Sequence, residues 1–163
     1  MQIRPMTLSD WPQVAKIYEE GIVTGHATFE QKIPDYEHWN GAHLQICRLV
    51  AERKGSILGW VALSPVSSRC VYGGVAEISI YVALQSRGLG VGKLLMQRLI
   101  LESEAEGFWT LQSGIFPENQ ASIQLHKKSG FRYIGKRERI GKMHGVWKDN
   151  LLFEKRSSII GIH

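Results

Sequence analysis

Residues Ala76 to Gln97, AEISIYVALQSRGLGVGKLLMQ, change period midway. Ile78, Ile80 and Val82 alternate with Glu77, Ser79 and Tyr81, the period of two of a strand with two differently used faces. The carboxylate of Glu77 therefore falls away from the apolar row. From Val91 the spacing turns helical: Val91, Leu94, Leu95 and Leu99 form one stripe, with Lys93, Gln97 and Arg98 available for another face. The segment reads as strand, turn and helix.

The turn is Arg87-Gly88-Leu89-Gly90-Val91-Gly92-Lys93. Three glycines at alternate positions allow unusual dihedrals and close backbone approach, and the first helical turn offers amide hydrogens with no partner inside the helix. Together with the helix dipole and two cations they favour an anion, most simply a phosphate. The competing reading is a tight turn in which glycine serves geometry alone. A Walker-type loop needs Ser or Thr after Gly-Lys, but Gly92-Lys93 is followed by Leu94. A dinucleotide-binding turn belongs in the first βαβ unit of a repeating pattern, whereas this one lies past the middle of the chain. Neither class is expected.

On the N-terminal side, Gln2 to Met6 reads as a strand, and Ser9 or Asp10 caps a helix with Val14, Ile17 and Tyr18 on its apolar stripe. Gly21 to Phe29 is less regular, and Tyr36 to Leu44 is a weaker helix whose His38 and His43 are expected at the surface. Arg48 to Glu52 and Ile57 to Leu63 flank the hairpin signal Lys54-Gly55-Ser56. Pro65 to Gly74 is a loop. On the C-terminal side, after a helix ending near Gly107, come a strand at Phe108 to Ile115 and a helix at Asn119 to Lys128, with Ala121, Ile123 and Leu125 partly buried, stopped by Ser129-Gly130. Two last strands, Phe131 to Arg137 and Val146 to Phe153, are joined by a loop at Arg139 to Gly145.

Gln85 to Gly90, continuing as Val91-Gly92-Lys93-Leu94-Leu95, resembles the pyrophosphate-binding motif of the GCN5-related N-acetyltransferases (GNAT), in which backbone amides hold coenzyme A. Further stretches resemble, within that superfamily, the phosphinothricin and methionine sulfoximine acetyltransferases: Ala27-Thr28-Phe29-Glu30, Tyr72 with Glu77 to Val82, Gly114 to Asn119, Ser129-Gly130-Phe131, and Arg139 to Asp149. The resemblance spans nearly the whole chain. With the element order it implies a single α/β (α+β) domain over residues 1–163 with the GNAT fold: a mixed, largely antiparallel sheet of about six or seven strands flanked by about four helices.

The resemblance also implies acetyl-CoA as co-substrate and the amine of a small molecule as acceptor, specifically the α-amine of phosphinothricin, methionine sulfoximine, methionine sulfone or a similar amino acid. Glu77 matches the family's catalytic glutamate and is the natural base for an ammonium that must lose its proton. His126 stands where many relatives place a tyrosine, and either protonates the leaving thiolate or packs and contacts the cofactor. Backbone amides of Arg87, Gly88, Leu89, Gly90, Val91, Gly92 and Lys93 are expected to hold the diphosphate. Main-chain groups of Ile80 and Val82 are expected to pair with the pantetheine arm as an added strand, and Asn119 and Ser122 to contact the cofactor.

For the acceptor, the resemblance points to Phe29, Arg69, Tyr72, Val75, Glu77, His144 and Trp147. Phe29 is a pocket residue or ordinary core, and His144 and Trp147 shape the pocket or a dimer surface, or Trp147 simply packs. A cation such as Arg69 is a candidate clamp for the carboxylate. Relatives often carry a second arginine after the tyrosine, but Tyr72 is followed by Gly73. The open alternatives are another amine (a polyamine, an aminoglycoside or a protein N-terminus) and a module that senses acyl-CoA without catalysis.

Composition bounds these expectations. The 163 residues, 44% hydrophobic and 21% charged, suit one globular domain. A net charge of +5 is spread along the chain without a nucleic-acid motif, so no nucleic-acid partner is expected. Met1 to Asp10 has no signal-peptide pattern and no apolar run approaches the roughly 20 residues of a membrane span, so a cytoplasmic protein without a membrane partner is expected, as a homodimer by resemblance. Cys47 and Cys70 are too few and too far apart for a disulfide framework, a zinc site or any other metal site.

Overall fold

Strand β4, Val75–Val82, runs through the middle of a seven-stranded sheet in a computed structural model that describes residues 1–163. The other strands are β1 (Gln2–Pro5), β2 (Leu49–Arg53), β3 (Ser56–Pro65), β5 (Thr110–Ile115), β6 (Arg132–Met143) and β7 (Val146–Arg156). The helices are α1 (Trp11–Val23), α2 (Tyr36–Ala42), α3 (Val91–Ala105) and α4 (Gln120–Lys128). Sheet order is β1-β2-β3-β4-β5-β7-β6, and β4 with β5 is the one parallel pair. The mixed, largely antiparallel α/β fold expected from the sequence is the one observed.

Alternation along the strands divides the side chains between two cores. On one face Leu49, Ala51, Val61, Leu63 and Ile78 meet Val91, Leu95, Met96 and Leu99 of α3, with Ile123 of α4. On the other, Val50, Trp60 and Ala62 meet Val14, Ile17 and Tyr18 of α1 and Trp39 of α2. Each such large apolar side chain, fully buried, contributes on the order of 1.5–3 kcal/mol, which is why the apolar stripes read from the sequence hold against the sheet. The register of β2 and β3 slips between Ala51 and Glu52, leaving Leu58 as an extra residue whose carbonyl accepts from Ala83 N at 2.8 Å.

Four local readings change. Helix α1 continues through Gly21 to Val23, into the stretch expected to be irregular. His43 is not a surface residue: its ring stacks on Trp39 at 4.5 Å and its Nδ1 donates to the Trp39 carbonyl at 2.7 Å, so burial lowers its pKa below the ordinary histidine value. Ala121 is exposed, because Ile123 and His126 take the buried side of α4. Finally, Arg139 to Gly145 is not a loop. Strands β6 and β7 form one long hairpin closed at His144-Gly145, and the glycines and charges that imitate a loop belong to a bulged ribbon between Arg137 and Gly141.

Candidate functional site

Strands β4 and β5 pair only from Val75↔Thr110 to Glu77↔Gln112. Beyond Glu77, strand β4 keeps β3 on one side, up to Gly59↔Val82, while β5 continues with β7 to Ile115↔Leu151. The two strands diverge around a cleft of about 900 Å³, with Ile78 to Val82 on one wall and Ser113 to Phe116 on the other. The β4 backbone facing it has donors and acceptors without a neighbouring strand, an arrangement that takes up an extended ligand as an added strand. Ile80 and Val82 lie on this wall.

One end of the cleft is the glycine turn. Gly88 and Gly90 have φ of +78° and +82°, the left-handed region that other residues enter only with strain. Gly90 is the N-cap of α3 without a side-chain cap, and the first intrahelical bond runs from Leu94 N to Gly90 O at 3.1 Å. The amides of Val91, Gly92 and Lys93 are thus free of helix partners, and these residues line the cleft with Arg87, Gly88 and Gly90. Leu89 does not: its side chain is 56% exposed on the outer side of the turn. Asn119 and Ser122 reach the same cleft from the head of α4, where Asn119 Oδ1 accepts from Ser122 N at 3.2 Å. That capping bond leaves the Asn119 amide nitrogen available.

The other end is built on the opposite face of the sheet. Glu77, half-buried, lines it with Phe29, which meets Phe116 edge-on at 4.7 Å. Phe29 also lies on Gly141, where a Cβ would come within 2.7 Å of its ring. Tyr81 lies between Trp60 and Tyr18, each 4.9 Å away, and burial holds its phenol well above the ordinary pKa and therefore neutral. His26, Thr28 and Glu30, on the segment after α1, complete this wall with Arg137 and Asn150 of the β6–β7 hairpin.

Several residues expected at the site lie elsewhere in this chain. His126 is fully buried beneath the cleft, against Phe131 at 5.0 Å, and its Nδ1 donates to the Ser122 carbonyl at 2.7 Å. Burial lowers its pKa, so it is neutral at pH 7, with Nε2 enclosed and without a partner. Arg69, Tyr72, Val75, His144 and Trp147 line no part of the cleft. Arg69 lies over the Tyr72 ring at 5.6 Å, and Trp147 is 57% exposed at the hairpin end with Lys142 Nζ 5.7 Å from its ring. Sequence reading missed Arg137 and Asn150, because only strand register brings them together. For Glu30 the signal was its place beside Phe29 in a stretch already singled out.

The model of the acetyltransferase (GNAT) family matches residues 10–131. The chain is similar to a phosphinothricin N-acetyltransferase of Alcaligenes faecalis, 30% identical over 159 residues, 94% of this chain and 81% of that protein. It is also similar to an L-methionine sulfoximine/L-methionine sulfone acetyltransferase of Pseudomonas paraeruginosa, 28% identical over 90% of this chain and 89% of that one. Among solved structures, a ribosomal-protein-alanine N-acetyltransferase from Brucella melitensis superposes with a TM-score of 0.89 at 31% identity, covering 96% of this chain and 100% of that one. A phosphinothricin acetyltransferase from Sinorhizobium meliloti in complex with acetyl-CoA superposes with a TM-score of 0.85 at 26% identity, covering 99% of this chain and 95% of that one.

Proposed function

The chain belongs to the acetyltransferase (GNAT) family, and from that premise we propose that it moves the acetyl group of acetyl-CoA to the α-amine of a small amino acid such as phosphinothricin, methionine sulfoximine or methionine sulfone. The observation that carries this reading is the open β4 edge from Ile78 to Val82, with the unpaired amides of α3 at one end of its cleft and Glu77 at the other. Likeness to enzymes named for those acceptors supports the substrate class, and the Sinorhizobium complex supports the donor.

In this reading the amides of Gly88 to Lys93, with Arg87 and Lys93, hold the diphosphate, and the main chain of Ile80 and Val82 aligns the pantetheine arm. Acetyl-CoA supplies a thioester carbonyl beside Glu77. The carboxylate of Glu77 takes a proton from the acceptor ammonium, directly or through one water, and the freed amine attacks the carbonyl. The C–N bond forms, the nitrogen of the adduct releases its second proton to solvent, the C–S bond breaks, and the thiolate takes a proton from solvent. His126 holds α4 in place and transfers nothing, since its Nδ1 proton is committed to Ser122. Direct attack fits the cysteines: Cys47 is buried with its thiol pushed up to about 11, and Cys70 does not line the cleft.

The same proposal includes a homodimer in the cytoplasm, where free thiols such as these stay reduced. Trp147, more than half exposed on the hairpin, is offered for pairing. Light scattering of the purified protein reads this directly, and a monomeric mass removes it.

A second acceptor, the α-amine of a protein N-terminus, is favoured by the likeness to the Brucella structure. A thiol-release assay over an amine panel separates the readings. The expected result is highest kcat/KM with methionine sulfone, methionine sulfoximine or phosphinothricin. Turnover confined to peptides or polyamines, or acetyl-CoA binding without any turnover, overturns the proposal.

A further inference from the structure

We propose that Arg137, assisted by the side-chain amide of Asn150, is the clamp for the acceptor's carboxylate, so that the cleft selects α-amino acids over plain amines. This rests on the acetyl-transfer reading above and assigns the part of the acceptor that Glu77 does not meet.

The strand faces place the pair. Ile78 of β4, Leu111 and Ile115 of β5, and Phe153 of β7 belong to the core beneath α3, so Glu77, Gly114 and Asn150 project from the opposite face. Arg137 is directly across from Asn150 in the β6–β7 register and shares that face. A ligand at the head of α3 lies on the other side, so Arg137 is not part of the diphosphate grip.

Asn150 reaches toward the reacting end. Its amide occupies the space above Gly114, where a Cβ would be 2.6 Å from Oδ1 and 3.3 Å from Nδ2. Gly114 is two residues along β5 from Gln112, the residue level with Glu77, a rise of roughly 6.6 Å. Glu77 and the Arg137–Asn150 pair thus flank a space suited to a small zwitterion, ammonium toward the carboxylate and carboxylate toward the guanidinium.

Arg137 is also uncommitted. Arg4, Arg98 and Arg132 are ion-paired, and Arg48 and Arg156 are bound to backbone carbonyls; the exposed side chain of Arg137, like those of Arg53, Arg69, Arg87 and Arg139, has no ion-pair or hydrogen-bond partner, and of these five only Arg87, at the diphosphate end, and Arg137 line the cleft that contains Glu30 and Glu77. Asn150 likewise makes no side-chain hydrogen bond. The bulge after Arg137, where three residues of β6 face Asp149 alone, brings Gly141 onto Phe29. Phe29, Phe116 and Ile140, which line the same cleft, favour an acceptor whose side chain is uncharged.

The test compares methionine sulfone with 3-(methylsulfonyl)propylamine, which differs by the missing carboxylate. The wild-type enzyme should prefer the amino acid by about 100-fold in kcat/KM. Arg137→Gln should lose about 30- to 100-fold on methionine sulfone, mainly through KM, a loss typical of removing a charged hydrogen-bond donor. The amine and the KM for acetyl-CoA should change less than threefold, and Arg137→Lys should restore part of the loss. Equal losses on both acceptors, a raised acetyl-CoA KM, or no loss overturns the assignment. A wild-type enzyme that acetylates neither compound overturns the acceptor reading as well, whereas a working wild type with an indifferent Arg137→Gln overturns the clamp alone.

Discussion

The Nδ1 of His126 donates to the carbonyl of Ser122, one helical turn back on α4, at 2.7 Å. The bond fixes the tautomer, since a carbonyl can only accept, and turns the lone pair of Nε2 into an enclosed space with no partner. A ring held in this way supports the floor of the cleft and has no proton to offer at its surface. His126→Phe, which keeps the volume and loses the second donor to a carbonyl that the α4 backbone already pairs, should therefore cost about 0.5–1.5 kcal/mol of stability. Thermal unfolding and steady-state kinetics together check this: kcat should stay within about threefold, and a loss on the scale of general acid catalysis, about 100-fold or more, would return His126 to the chemistry.

Stability should fall as pH drops below about 6.5. Burial lowers the pKa of both His43 and His126 in the folded chain, so between the lowered values and the ordinary one the unfolded chain binds more protons. Their contribution is present above pH 6.5 and is lost as pH falls through the folded values. Asp10, lowered by its bonds to Arg4, adds a second loss below the ordinary carboxylate value of 3.8. Denaturant unfolding at pH 7.5, 5.5 and 3.5 should show both steps, and His126→Phe should flatten the first.

Glu77→Gln preserves shape and hydrogen bonding but cannot accept the ammonium proton. Turnover should fall by about 100- to 10,000-fold, the usual range for a positioned base. Acetyl-CoA affinity by calorimetry should change less than twofold, because the diphosphate grip is at the far end of the cleft. Undiminished turnover would remove Glu77 from the reaction.

Gly90→Ala tests the turn. A Cβ there meets nothing within 4 Å, so the cost is that of holding alanine at φ near +82°, about 1–2 kcal/mol, or a fall in Tm of roughly 2–8 °C. Acetyl-CoA affinity should weaken with it, as the first amides of α3 shift. An unchanged affinity alongside a lowered Tm would leave the glycines a purely conformational role.

The sequence alone determined the strand, the glycine turn and the helix of residues 76–97, because period and backbone freedom depend on near neighbours along the chain. It also placed most of the residues that line the diphosphate end of the cleft, all within a single run. Tertiary structure decided the rest. The parting of β4 from β5 after Glu77, the length of the β6–β7 hairpin, the burial of His126 and the placing of Arg137 opposite Asn150 all come from strand register and packing between distant segments. A one-residue change of register sends a side chain to the other face of a sheet, and no local pattern in Arg139 to Gly145 records which register was chosen.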